Sequence, residues 1–237
     1  MTFSMKRVLA IFNKDLKDLS KNMFVSTSIL MPLVLAAIYG RMAEDLSIES
    51  YYLVINLAFT MTATFIQCAI IAEEKEKNTL RGLMLSPATI PEIFSGKSLV
   101  AFLLSIVTIV VSSIFMEYYP ENVALVAVAI VVSTLFYIAL GTLLGLLARS
   151  VVEASVIIMP VVFLLGFGSF IETLMDKYPI LHFAEYLPNL QLIEFATKVQ
   201  AGSGLTDVWS HLSVITAWFL IVSFLTIVIF KKKEIDA

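Results

Sequence analysis

The densest group of ionisable side chains in this chain is the run EEKEKNTLRGLMLSPATIPEIFSGKS, from Glu73 to Ser98. Its residue types suit contact chemistry: charges that pair and a small apolar face that docks. Glu76 to Leu85 reads as a short helix that Pro87 stops, because proline cannot continue a helix and restricts the residue before it. Leu80, Leu83 and Met84 form its apolar face, either a docking surface rimmed by charge or a helix lying on the membrane. Glu74 and Glu76 stand at its N-terminal end, where acidic residues are favoured. They could also pair with basic residues of a partner. A second group is the stripe Asn56, Thr60, Thr64 and Gln67, spaced four, four and three residues apart on one helical face. Inside a membrane such a stripe either hydrogen-bonds between helices or walls a polar path. Gly141 and Gly145 form a GxxxG, which lets helix backbones approach closely, and packing within the chain is its favoured role.

Other chemistries lack their residues. No G-x-x-x-x-G-K-[ST] occurs, so the chain has no P-loop for ATP. His182 and His211 have no H-E-x-x-H around them, which excludes that kind of zinc protease. Glu73-Glu74 opens like the E-E-x-x-x-R of membrane prenyl-protein proteases, but Asn78 stands at the arginine position. No carboxylate or lysine falls at a membrane centre to relay protons. The expectation is a protein that is not an enzyme and that itself binds no cofactor or metal.

The elements that must carry these residues follow from composition. Of 237 residues, 59% are hydrophobic and 15% charged. Soluble domains run near 45–50% and 25%. Mean hydropathy is +0.92. That much apolar surface cannot be hidden in a soluble fold of this size. A net charge of −3 gives no affinity for nucleic acid. Cys68 is the single cysteine, so no disulfide within the chain is possible. An all-α integral membrane protein is expected. With about 20 apolar residues per crossing, six spans are predicted: Phe24 to Met42, Tyr52 to Ala72, Leu99 to Met116, Val123 to Ala148, Ala154 to Phe170, and Leu212 to Phe230. The acidic Glu44, Asp45 and Glu49 separate the first two. Pro160, Gly166 and Gly168 interrupt the fifth.

Residues 1–23, 73–98, 149–153 and 231–237 hold thirteen of the sixteen Lys and Arg, leaving Arg41, Lys177 and Lys198 elsewhere. Basic residues mark the cytoplasmic side, so both termini are expected there. Within residues 1–23, Met5, Val8, Leu9, Phe12, Leu16 and Leu19 share a helical face. That predicts an amphipathic helix in the membrane plane with lysines toward anionic headgroups. Between spans five and six, residues 171–211 form an external segment. There Asn189 can cap a helix over Leu190 to Val199, with Leu192, Ala196 and Val199 on one face.

Glu74, Glu76, Thr79, Leu80, Leu83, Ser86 and Pro87, followed by Gly96-Lys97 at the opening of the next span, resemble the type-2 ABC exporter permease family. Asn78 stands where that family often has glycine. The resemblance covers residues 1–237 as one permease domain. It implies that residues 73–98 are the coupling loop seated on a separate ABC ATPase, which holds the ATP and Mg. It further implies re-entrant helices within residues 171–211 and a second permease subunit, identical or not. The polar stripe would then lie near the central path. The implied function is export through the cell membrane, and a path walled by Thr, Gln, Met and Phe suits an amphipathic drug, peptide or lipid-like compound better than a compact ion. A sodium-extruding member of the family, or an ATP-independent carrier, immunity or assembly factor, is the alternative.

Overall fold

The computed structural model describes residues 3–42, 46–84, 86–171 and 178–235. Glu44, Asp45, Leu85 and Lys177 lie outside the described residues, as do the side chains of Leu80, Arg81 and Met84. Helices dominate, and no strand occurs among the described residues. In chain order those of six residues or more are α1 (Met5–Lys21), α2 (Thr27–Met42), α3 (Ile48–Glu76), α4 (Thr79–Met84), α5 (Ile90–Phe115), α6 (Val123–Leu147), α7 (Val151–Gly166), α8 (Pro188–Gln200) and α9 (Leu205–Ile235). A 3-10 segment, Pro179–Tyr186, precedes α8.

Among the described residues, α3, α5, α6 and α9 are long and apolar enough to cross a membrane. The other two expected spans are the shorter apolar helices α2 and α7. The bundle is arranged around α3, which packs against α2, α5, α6, α7 and α8, while α9 lies along α6. The most apolar 18-residue stretch of α3 is 94% buried; that of α9 is 11% buried. Yet α3 has the lowest mean hydropathy of the four, 1.8 against 2.5 to 2.7. Lipid is as apolar as leucine, so nothing drives the most hydrophobic helix inward, and the helix with hydrogen-bonding groups takes the centre.

Two π turns interrupt this core, Phe59–Thr64 in α3 and Val162–Gly166 in α7, and they touch each other. A π turn inserts one extra residue into the helix. The second follows Pro160, which lies inside α7 and cannot donate the backbone bond an α-helix requires.

Three sequence expectations need correction. The helix over 76–85 is shorter: α3 continues through Glu76, a turn follows at Lys77 and Asn78, and α4 starts at Thr79. Asn78 sits at φ 55°, a left-handed conformation that asparagine tolerates better than most residues. Asn189 does not cap α8. Pro188 takes the first helical position, its fixed φ and missing N–H suiting that place, and Leu187 precedes it. The expected face of α1 divides. Val8 and Leu19 are buried against the protein together with Ile11, which lay outside that face, whereas Met5, Leu9 and Leu16 stay exposed on the other flank.

Candidate functional site

The first half of the charged run, Glu73 to Met84, is the last turn of α3 together with α4, and it ties four other helices together. Successive residues on a helix point about 100° apart, so Glu74, Lys75 and Glu76 reach different neighbours. Glu74 Oε1 accepts from Lys97 Nζ of α5 at 2.9 Å and from Lys14 Nζ of α1. Lys75 Nζ donates to the carbonyl of Leu146 at 2.7 Å and to that of Ala148, closing the C-terminal end of α6 where carbonyls lack helical partners. Glu76 Oε2 accepts from the Val151 N–H at 3.0 Å, at the start of α7. Glu73 and Lys77 form an outward i,i+4 pair, a kind worth little in water.

Lys97 is the centre of this arrangement. Its side chain is fully buried, and Nζ also meets Asp15 Oδ2 of α1 at 3.0 Å. Lys14, Asp15, Glu74 and Lys97 make a neutral four-charge clamp. Burying one charge alone costs far more than burying a balanced, hydrogen-bonded set. Burial works against the charge on Lys14, but its bonds to Glu74 and Asp15 outweigh that and raise its pKa above the usual lysine value. The α1–α5 contact is close because Gly96 has no side chain: a Cβ there would sit 2.8 Å from Ile11 Cβ and 2.9 Å from the Val8 carbonyl oxygen. A second tie stands at the start of α5. Thr89 and Glu92 form a capping box, and Arg7 donates to both Glu92 oxygens, from Nε at 2.9 Å and Nη2 at 2.7 Å.

Among the described residues, the clamp reaches α4 through Thr79. Thr79 Oγ1 donates to Glu74 Oε2 at 2.8 Å. At the other end of α4, Ser86 Oγ donates to the Leu83 carbonyl at 2.6 Å and accepts from Ala88 N–H at 3.2 Å, with Pro87 exposed beyond. Leu83 is half-buried, and the Leu80 side chain lies outside the described residues. Glu74 and Glu76 therefore end α3 rather than begin α4, which has no acidic residue in its first turn. Sequence reasoning passed over Asp15, although it lies on the stripe Val8, Ile11, Asp15, Leu19, spaced three, four and four. An acid on a buried stripe requires a cation facing it.

The polar stripe is wholly buried: Asn56 is 1% exposed and Thr60, Thr64 and Gln67 are 0%. It does not keep one face, because the π turn shifts the helix between its members. Thr60 lies against α7, where a Cβ on Gly166 would come 3.0 Å from its Oγ1. Thr64 and Gln67 face α6. Thr64 Oγ1 donates to the Tyr137 carbonyl at 3.1 Å, and Gln67 Nε2 donates to Thr142 Oγ1 at 2.9 Å. Among the described residues, Asn56 Oδ1 and Gln67 Oε1 have no hydrogen-bond partner. Gly141 and Gly145 bring α6 onto this part of α3. A Cβ on Gly141 would lie 2.4 Å from the Thr64 carbonyl oxygen, and one on Gly145 2.8 Å from that of Cys68.

No curated protein matches the sequence. A family model described as ABC-2 family transporter protein matches residues 16–229, which take in Glu74 and Lys97 of the clamp, the whole of α4, the stripe and both glycines. With nearly all of its helices inside that match, the chain belongs to the ABC-2 family of membrane transporter proteins.

Proposed function

We propose that this chain is the permease subunit of an ATP-driven exporter and that a separate ABC ATPase docks on α4. Membership of the ABC-2 family supports a membrane transport subunit. The observation that carries the rest is the Thr79–Glu74 bond, which links α4 to a buried clamp holding α1, α3 and α5. A partner that pushed α4 would move three elements together, because the clamp cannot open without leaving buried charges unpaired. ATP and Mg would be held by the partner. In this reading six spans cross the cell membrane with both termini cytoplasmic, α8 is a re-entrant external element, and a second permease subunit completes the path. The exported compound is amphipathic: a drug, a peptide or a lipid-like molecule. The adjacent π turns of α3 and α7, with Asn56 and Thr60 beside them, form the part of the path wall that can change shape, since such turns mark places where a helix readily reshapes.

Leu83→Asp tests the docking. A carboxylate in an apolar contact costs about 2 kcal/mol or more, roughly a thirtyfold loss of affinity. The variant is expected to insert in the membrane with normal yield and to lose its ATPase on co-purification. Undiminished retention of a coupled ATPase would move the docking surface away from α4.

A further inference from the structure

Between α5, α6 and α9 a groove of about 440 Å³ opens on the bundle surface, within the range of roughly 300–1,000 Å³ typical of ligand sites. Its walls are mostly apolar, with Phe94 from α5, Ile138 and Ala139 from α6, and Phe219 and Ile227 from α9. The edge-to-face pair Phe94–Phe230, 5.1 Å between ring centres, stands at one end. Three of the four hydroxyls that line the groove are engaged, Ser223 being the fourth. Thr142 donates to the Ile138 carbonyl at 2.9 Å and Thr226 to that of Val222 at 2.8 Å. Ser98 Oγ lies 3.4 Å from Gln67 Nε2, which donates to it. With three of its four hydroxyls so used and its walls mostly apolar, the groove suits a hydrocarbon chain better than a polar solute.

The charge is at one end alone. Lys231 lines the groove, is exposed, and makes no ion pair among the described residues; Lys232 and Lys233 follow it. From Phe219 to Lys231 the helix rises about 18 Å, close to the ~15 Å half-thickness of a bilayer core. The groove is thus one leaflet deep, apolar along its length and cationic where a headgroup would lie. We infer that it holds one acyl chain of an anionic phospholipid, with the lipid phosphate against Lys231. The choice of the cytoplasmic leaflet rests on the orientation proposed above. Labelling of an external cysteine reads that orientation separately, so either reading can fail without the other.

The test uses the full chain in vesicles of phosphatidylcholine and phosphatidylglycerol, with one or the other lipid carrying a diazirine on an acyl chain. Mass spectrometry then locates the label. The phosphatidylglycerol probe is expected to label the groove about fivefold more than the phosphatidylcholine probe, the ratio expected for one lysine at an anionic surface. Lys231→Gln should erase that preference and leave chain labelling in place. Ala139→Trp should abolish groove labelling by both probes, and Ser223→Trp fills the groove from the opposite wall if the first variant does not fold. Label spread evenly over lipid-facing positions such as Val107 and Phe224, unchanged by either tryptophan, would overturn the proposal. So would a disulfide between two copies carrying Ile227→Cys, which would make the groove an interface between subunits.

Discussion

Lys97 shows how a buried charge organises a membrane protein at the water boundary. Two carboxylates, Asp15 and Glu74, lie at 3.0 and 2.9 Å from its ammonium group. They come from helices far apart in sequence. Lys97→Met would leave two buried carboxylates sharing the single cation Lys14, a loss of about 3–5 kcal/mol. The expected outcome is release of α1, read as faster proteolysis of the N-terminal segment in inside-out vesicles. Adding Asp15→Asn and Glu74→Gln to the same chain should restore much of the protection, since the one clamp charge left, Lys14, is half-exposed and keeps Asp18 beside it. Equal protection in Lys97→Met and the wild type would mean that the Arg7–Glu92 tie alone holds α1. Charge-reversing variants at Lys77 should do little by comparison, because that pair is exposed.

Among elements, the α3–α6 contact sets how closely the bundle can close. Gly141 has no space for a side chain, since the Thr64 carbonyl already occupies the place of its Cβ. Gly141→Ala therefore forces the helices apart and is expected to cost about 1–3 kcal/mol. The change would be seen as a lower thermal midpoint of the purified protein. The separation should also weaken the Thr64–Tyr137 and Gln67–Thr142 bonds, so polar glue and close approach fail together. Gly202→Ala meets open space but sits at φ 84°, so its effect comes from local backbone strain and leaves the bundle intact. An unchanged midpoint in Gly141→Ala would show that α6 can slide on α3 without loss.

For the whole molecule, the arrangement inverts the rule of soluble folds. The least apolar long helix is at the centre and a highly apolar one is at the periphery. The proposed orientation rests on the distribution of basic residues, each worth about 1 kcal/mol near an anionic leaflet. Thirteen of sixteen lie in the segments assigned to the cytoplasm. A cysteine placed at Ser203 should react with an impermeant reagent from outside the cell, and one at Lys232 should react only after the membrane is opened. The native Cys68 is buried and gives little background. Reaction of Lys232→Cys in intact cells would reverse the topology.

The sequence alone determined the helical class, the apolar segments and the amphipathic α1, because each is written as a local pattern of residues along one helix. It also marked Glu73 to Ser98 as the place where charge gathers, and α3 as the helix with a polar stripe. Tertiary structure decided what those residues do. Glu76 was assigned to the short helix from its neighbours, yet it extends α3 and caps α7, a role set by where α7 begins in space. Asp15 acquired its meaning from Lys97, 82 positions away, and no local pattern joins the two. The stripe of α3 was split by a π turn packed on that of α7, as helix-to-helix packing rather than residue preference fixed where the extra residue went. Local spacing encodes which face of a helix is polar. Which buried charge meets which is a matter of assembly, because a neutral clamp exists only once α1, α3 and α5 have come together.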